Sequence, residues 1–144
     1  MDGMKTFRAL DIAGSGMTAE RRRLEVVAAN IANARTLKTE NGGPYRRQEV
    51  IFQSVMRRAS LAGGAMDRLP EVAVSDVVSD RSDFRMVLDP GHPLADEDGY
   101  VAMPNVDMVF EMVDLMDAMR SYEANLRTVR TFRTMFESAL QIGR

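Results

Sequence analysis

The sequence predicts an α+β protein in which long N- and C-terminal helices pack together as a coiled coil and flank a small β-rich middle region. A heptad pattern at each end of the chain, and short alternating segments between them, predict this fold. In both heptads apolar residues recur in alternating steps of three and four, which is typical of a helix that buries a narrow stripe against another helix. The expected organisation is an N-terminal helix over residues 1–36, a middle region over 37–103 and a C-terminal helix over 104–144.

The N-terminal helical pattern extends from about Lys5 to Arg35. Glycines at 14 and 16 interrupt it, and each costs about 1 kcal/mol relative to alanine in a helix interior. We therefore expect this helix to be frayed or unformed before residue 17 in the free chain. A real break, with Ser15 or Thr18 capping a later helix start, is the alternative. The stripe, which has one polar break at position 20, comprises Leu10, Ala13, Met17, Glu20, Leu24, Val27, Ile31 and Ala34.

The middle region combines short strand-like segments with strong turn signals. Alternating and β-branched residues predict strands at 45–55, 71–78, 84–88 and 100–103. Glycine and proline predict a loop at 39–44 and a turn at 89–93, and the stretch 57–70 is also expected to be a loop.

The C-terminal helical pattern begins after Pro104, and Asn105 is a good candidate for its N-cap. Acidic residues come early in this helix and arginines come later, an order that complements the helix dipole. At about 1.5 Å per residue, each terminal helix should be roughly 45–50 Å long, which favours an elongated molecule. The stripe comprises Met108, Met112, Leu115, Met119, Tyr122, Leu126, Val129, Arg133, Phe136 and Leu140.

The net charge of −2 is unevenly distributed along the chain. Residues 1–58 contain 11 Lys and Arg against 6 Asp and Glu, whereas residues 59–144 contain 8 against 15. This asymmetry fits contacts between copies of the chain. Basic residues are too dispersed to favour nucleic-acid binding. The sequence shows no signal peptide and no apolar stretch long enough to span a membrane, and the absence of cysteine excludes disulfides and thiol chemistry.

No motif predicts catalysis, a cofactor, a metal site or a small-molecule substrate. The one histidine, His92, lies between Gly91 and Pro93, so we expect a turn residue rather than a general base. The acidic run 96–98 lacks the spacing of a calcium-binding loop, and the glycine pairs lack the ending of a phosphate-binding loop. We therefore do not expect an enzyme. A cytosolic helical adaptor protein and, much less favoured, a small β-domain hydrolase are the alternatives.

Motifs at both ends of the chain resemble those of a known family. Ser15 and Gly16 precede an Ala/Asn-rich helix end that contains Asn30 and Asn33, with a departure from the usual Asn or Ser at Ala29. The C-terminal motif residues are Pro104, Asn105, Asp107, Ser121, Tyr122 and Asn125. With the segments 43–47 and 89–93, these motifs resemble the bacterial flagellar rod and hook axial proteins, and most specifically the rod proteins of the basal body. The resemblance follows the same order over nearly the whole chain.

The resemblance implies a structural subunit of the proximal rod, the shaft that transmits motor torque to the distal rod and hook. Proteins of this family are exported by the flagellar type III apparatus without a cleaved signal peptide, and they assemble in the periplasmic space. Their terminal helices pack as a coiled coil around the export channel. The implied partners are further copies of the chain, the FlgB-type and FlgF-type rod proteins, and the FliE-type ring–rod junction protein.

We expect the two helix stripes to form the assembly interfaces, together with apolar residues outside them such as Val109, Val113 and Met116. Asn30 and Asn33 should hydrogen-bond groups near the loop after the first helix, or groups of a neighbouring subunit. The predicted interface residues are Leu10, Met17, Leu24, Val27, Ile31, Met108, Met112, Leu115, Met119, Tyr122, Leu126, Val129, Phe136 and Leu140.

Overall fold

A computed structural model describes residues 3–60 and 66–142 of the chain, with side chains described over 8–56 and 70–142. Long terminal helices and small antiparallel sheets between them confirm the predicted α+β class, whereas coiled-coil packing stays a prediction. The elements in chain order are α1 (Gly3–Asn33), β1 (Gln48–Ser60), β2 (Met66–Ser79), β3 (Arg85–Leu88), β4 (Tyr100–Met103) and α2 (Met108–Ile142).

Helix α1 is continuous through Gly14 and Gly16, so the alternative of a break near residue 15 is wrong. The two proposed capping side chains instead bond carbonyls within the helix. Ser15 Oγ donates to the carbonyl of Ile12 at 2.8 Å, and Thr18 Oγ1 donates to the carbonyl of Gly14 at 3.1 Å. Such bonds to the preceding turn are compatible with an uninterrupted helix.

Strands β1 and β2 form a long antiparallel hairpin, from the pair Gln48–Ser79 to the pair Ser60–Met66, with a bulge between Ile51 and Phe52. These strands extend through most of the predicted 57–70 loop, whose central residues 61–65 lie outside the described ranges. An isolated two-stranded hairpin is at best marginally stable, so its contacts with α1 matter. One of them is a hydrogen bond from the N–H of Val72 to Ser15 Oγ at 3.2 Å.

Strands β3 and β4 form a second, short antiparallel pair close to the start of α2. The connection between them turns at Gly99, which has a φ of +82° and stands so close to Pro90 that a Cβ would lie 3.1 Å from its Cγ. Both features favour glycine at this position.

The buried apolar core of the described residues is thin and consists mostly of small side chains. The accessible surface of the chain is 10617 Å², whereas a compact monomer of this mass would expose about 7,400 Å². The excess agrees with the elongated shape expected from the helix lengths. The buried apolar residues are Ala13, Ala19, Val26, Val27, Val101 and Ala118.

Candidate functional site

The two helices run antiparallel and meet at matched positions. Asn30 of α1 hydrogen-bonds Glu111 of α2, and Gly16 of α1 lies against Asn125 of α2. Gly16 and Asn30 are fourteen residues apart on α1, and Glu111 and Asn125 are fourteen residues apart on α2. The two helices therefore stay in the same register between the two contacts. The site of interest is this helix pair. Near Asn30 and Glu111, which we call its inner end, a group of hydrogen-bonded polar side chains forms the polar cluster: Asn30, Tyr45, Arg47, Glu111 and Asp114. The outer faces of the pair carry exposed apolar residues.

Gly16 leaves room for the side chain of Asn125 against α1. A Cβ at this position would lie 2.9 Å from Asn125 Nδ2, a distance that real Cβ atoms essentially never show. A glycine in a helix interior is usually destabilising relative to alanine, but here alanine would force the amide end of Asn125 to shift. Both residues belong to the motifs that carry the family resemblance, and the structure brings them together.

Asn30 is 1% exposed and has every hydrogen-bonding capacity of its amide filled. Its Nδ2 donates to the carbonyl of Gln48 at 2.9 Å and to Glu111 Oε2 at 3.0 Å. Its Oδ1 accepts from the Tyr45 hydroxyl at 3.0 Å and from the N–H of Gln48 at 2.9 Å. This side chain therefore joins α1, β1 and α2 within one chain, and it has no donor or acceptor left for a neighbouring subunit.

Glu111 is the centre of the charges in this cluster and is fully buried. It accepts from Arg47 Nε as well as from Asn30, and Arg47 also pairs with Glu49 and, at 3.2 Å, with Asp114. Burial alone would lower the pKa of Arg47, but the hydrogen bonds and charges of Glu111 and Glu49 raise it overall. A buried carboxylate with a charged partner and a second donor avoids the large cost of an unpaired buried charge.

Two neighbouring groups complete the cluster. Burial, reinforced by the charge of Glu111, raises the pKa of Tyr45, so its hydroxyl keeps the proton that it donates to Asn30. On the other side Arg23 of α1 forms an ion pair with Asp114 at 3.3 Å. The chain of contacts thus continues from β1 through α2 back to α1.

The start of α2 differs from the prediction. The helix begins at Met108, and Asp107 caps it by accepting hydrogen bonds from the N–H groups of Val109 at 2.9 Å and Phe110 at 3.3 Å. The prediction that Asn105 is the N-cap is wrong. Asn105 Oδ1 accepts the N–H of Arg47 at 2.8 Å, which anchors the segment before α2 to the residue directly before β1.

Asn105 also reaches the connection between β2 and β3. Its Nδ2 donates to the carbonyl of Asp80 at 3.3 Å and to Ser82 Oγ at 2.8 Å. The preceding residue, Pro104, is buried. These two motif residues therefore fix the junction from which α2 departs.

Asn33 is the last residue of α1, and its bonds are local. Its Nδ2 donates to the carbonyl of Ala29 at 2.9 Å, and its Oδ1 accepts from Thr36 Oγ1 at 3.1 Å. A side chain of this kind holds a helix end in place. The motif residues Ser121 and Tyr122 are half-buried on α2.

The predicted stripe on α1 has graded burial in the single chain. Val27 is buried, and Leu10, Met17, Leu24 and Ile31 are half-buried. Gly16, Arg23 and Asn30, whose contacts with α2 are described above, are each one position before a predicted stripe residue.

The predicted stripe on α2 is displaced in the same way. Several of its members are half-buried, namely Met108, Leu115, Tyr122, Leu126 and Val129. The fully buried positions are Glu111 and Ala118, one residue before two predicted methionines. The predicted members that the single chain leaves 49–60% exposed are Met112, Met119, Phe136 and Leu140. The helices meet along small and polar residues, which a search for large apolar side chains does not detect.

The outer face of α2 carries a continuous apolar strip at its N-terminal half. We call it the α2 outer strip and define it as Val109, Met112, Val113, Met116 and Met119, which are 45–70% exposed. Exposed apolar patches of this kind mark interaction sites in soluble proteins. Phe110, also 70% exposed, lies beside it.

The sequence interpretation missed the two charged residues at the centre of the cluster, Glu111 and Arg47. A signal for Arg47 was present, because it ends the Gly43–Arg47 segment that contributed to the family resemblance. Glu111 interrupts an otherwise apolar helix start. Acidic residues are common in the first turn of a helix, so its presence in the sequence did not indicate a buried charge.

Groups considered for chemistry have structural roles. His92 Nδ1 accepts the N–H of Leu94 at 3.1 Å, and Asp96 Oδ1 accepts the N–H groups of Asp98 and Tyr100, so these side chains stabilise turns. Over residues 3–60 and 66–142, no three His, Cys, Asp or Glu residues are placed to hold a metal ion. Neither described helix is long and apolar enough to cross a membrane.

Comparison with known proteins identifies the family. The profile "Flagella basal body rod protein" matches residues 10–36, and "Flagellar basal body rod FlgEFG protein C-terminal" matches residues 97–142. The flagellar basal-body rod protein FlgC of Escherichia coli O6:H1 is 42% identical over 140 residues, covering 97% of this chain and 99% of the relative.

The FlgC proteins of two other bacteria give the same result. That of Bacillus subtilis is 40% identical over 150 residues and covers 98% of this chain and 100% of the relative. That of Borreliella burgdorferi is 40% identical over 149 residues and covers 96% and 98%. The relatives are structural rod proteins and not enzymes, and this chain is accordingly a structural component of the flagellum, the organelle of cell motility. Agreement at both ends and across nearly the full length shows that the chain belongs to the FlgC family of flagellar basal-body rod proteins.

Proposed function

We propose that this protein is a subunit of the proximal rod that assembles with itself and with other rod proteins through its terminal helices. In this proposal the helices, residues 1–36 and 104–144, pack as a coiled coil around the export channel. The β-rich residues 37–103 lie further out, and the assembled shaft transmits motor torque to the distal rod and hook.

The observation that carries the proposal is the α2 outer strip, which a folded monomer leaves in water. Burial of apolar surface contributes roughly 25 cal/mol per Å², so covering this strip with a neighbour is favourable. The small buried core and the large accessible surface, 10617 Å², support the same conclusion, because the isolated chain has little else to stabilise it. The polar cluster at the inner end would hold the two helices in a fixed relation while the outer faces bind neighbours.

The proposed partners are further copies of the chain, the FlgB-type and FlgF-type rod proteins, the FliE-type junction protein and the export apparatus. The subunit would leave the cytoplasm through that apparatus without a cleaved signal peptide and would assemble in the periplasmic space. Deletion of residues 1–16 should then block incorporation into the rod. Recovery of the truncated protein in purified basal bodies would refute this part of the proposal.

A substitution in the half-buried part of the C-terminal stripe tests assembly. In a bacterium that lacks its own FlgC, we expect Leu126→Asp to abolish motility while residues 40–103 still fold, because a carboxylate there requires either burial or separation of the helices. Leu88→Asp is the matched control, because Leu88 is 61% exposed on β3 and away from the helices. Motile cells expressing Leu126→Asp at normal levels would contradict the proposed helix contacts.

A further inference from the structure

The α2 outer strip is centred on the side of α2 that faces away from α1, with Met112 and Met119 at its edge. Position 111 faces α1, and residues two positions before it, two after it or five after it lie on the far side of a helix with about 100° per residue. Val109, Met116 and Val113 occupy that far side, and Val109 is 70% exposed. Helix α1 of the same chain therefore cannot cover the strip.

Helix α1 also has an outer face that α2 leaves exposed. Positions two residues before Asn30 and two residues after it, Ala28 and Ala32, lie opposite α2 and are exposed. About two turns before Ala28, the side chains of Arg21 and Arg22 are 71% and 54% exposed. We call these four residues the α1 outer face.

The charges of the two outer surfaces are complementary. The α1 outer face has a net positive charge, because Arg21 and Arg22 outnumber Glu25, the neighbouring carboxylate that pairs with both. Beside the α2 outer strip the exposed carboxylates of Asp107 and Asp117 outnumber Arg120, which pairs with Asp117 at 3.8 Å, so this surface has a net negative charge. Two α2 strips placed against each other would bring these acidic residues together, which is unfavourable. The short alanine side chains also leave room for the protruding valines and methionines of the strip.

We propose that the α2 outer strip of one copy binds the α1 outer face of a second copy of this chain. The two surfaces differ and point in opposite directions, so the contact is heterologous. Repetition of such a contact produces a ring or a helical assembly rather than a closed two-fold dimer. The inference rests on the proposed function and specifies which faces of adjacent copies meet.

Thiol cross-linking tests the contact directly, because the chain has no cysteine of its own. Two differently tagged copies would be expressed in cells lacking FlgC, one with Ala28→Cys and the other with Val109→Cys, Val113→Cys or Met116→Cys. After mild oxidation of purified basal bodies, we expect a disulfide-linked product containing both tags for at least one pair. Exclusive formation of products with one tag, or of links to another rod protein, would overturn the inference while leaving the proposed function intact. Absence of the protein from the basal bodies would instead overturn both.

Charge reversal provides a second, independent measurement. Arg21→Glu combined with Arg22→Glu, or Asp117→Arg alone, should lower incorporation into basal bodies by about tenfold, and all three together should restore it. Asp98→Arg makes the same change of charge on an exposed loop outside both surfaces and should have no effect. Failure of the combined variant to recover any incorporation would contradict the pairing of these faces, provided that circular dichroism shows its helices to be intact.

Discussion

Gly16 of α1 stands so close to Asn125 of α2 that an added Cβ would lie 2.9 Å from Asn125 Nδ2, whereas Gly14 has nothing within 4 Å of the same position. The two glycines therefore have different reasons to be present, although they are separated by a single residue in the same helix. Only the one at position 16 lies against a side chain of α2, and alanine there would require the end of the Asn125 side chain to move.

Alanine substitutions should separate these two glycines. Gly14→Ala is expected to raise the free energy of unfolding of the monomer by about 0.5–1 kcal/mol, the usual gain for glycine to alanine in a helix. Gly16→Ala should give less stabilisation or none, because Asn125 must move. In an Asn125→Ala background, Gly16→Ala should recover the full gain. Chemical unfolding followed by circular dichroism measures all of these changes, and equal effects at both glycines would contradict the close contact.

Asn30 should be required for folding of the inner end and not only for contacts between subunits. Asn30→Ala is expected to lower the free energy of unfolding by on the order of 3 kcal/mol, because buried groups of Tyr45, Gln48 and Glu111 lose their partner. Asn33→Ala is the control and should cost about 1 kcal/mol or less, since its bonds are local. If Asn30→Leu folds normally and only weakens the assembled rod, the four intramolecular bonds are not its main role.

Glu20 should make stability depend on pH. Burial raises its pKa above the ordinary 4.5, an effect that Arg23 partly opposes, and its Oε2 atom is buried without a hydrogen-bond partner among the described residues. The folded chain then holds this proton more tightly than the unfolded chain does. Protonation of Glu20 therefore stabilises the folded chain. This stabilisation is complete below the pKa of Glu20 in the unfolded chain and is lost as the pH rises through its pKa in the folded chain.

Glu20→Gln removes this dependence and provides the measurement. The variant should be more stable than the parent chain at neutral pH. The difference in stability should shrink as the pH falls below the ordinary glutamate pKa of 4.5. Glu25→Gln is the control, because Glu25 is half-exposed and pairs with Arg21 and Arg22. A difference that grows on acidification would show that Glu20 is stabilised as a carboxylate.

Amide exchange in a confirmed monomer should be graded along the helices. We expect the slowest helical exchange around Asn30 and Glu111, where the polar cluster joins α1, β1 and α2. Exchange should be much faster over 133–142, where every side chain is exposed. Helix ends without packing are marginal in water. Protection at residues 133–142 equal to that at 108–118 would contradict this expectation.

The sequence by itself determined the class of fold and the family. The heptad repeats can be recognised along the chain alone, because a helix places residues three and four apart on one face. The strands at 84–88 and 100–103 were also predicted from neighbouring residues, namely the turn residues and the alternation of apolar and polar side chains. The motifs at the two ends were sufficient to indicate flagellar rod proteins, since the same residues in the same order specify the same contacts.

Only the tertiary structure decided which residues the helices bury. Apolar periodicity selects Met112 and Met119, yet Glu111 and Ala118 are the residues of α2 that are buried. Glu111 can be buried as a carboxylate because Arg47, far from it in the sequence, pairs with it. Asn105 was likewise predicted as a cap from its position alone, and it instead accepts the N–H of Arg47, because the fold brings the residue before β1 beside it. Such choices depend on groups far apart in the chain, so no local pattern contains them.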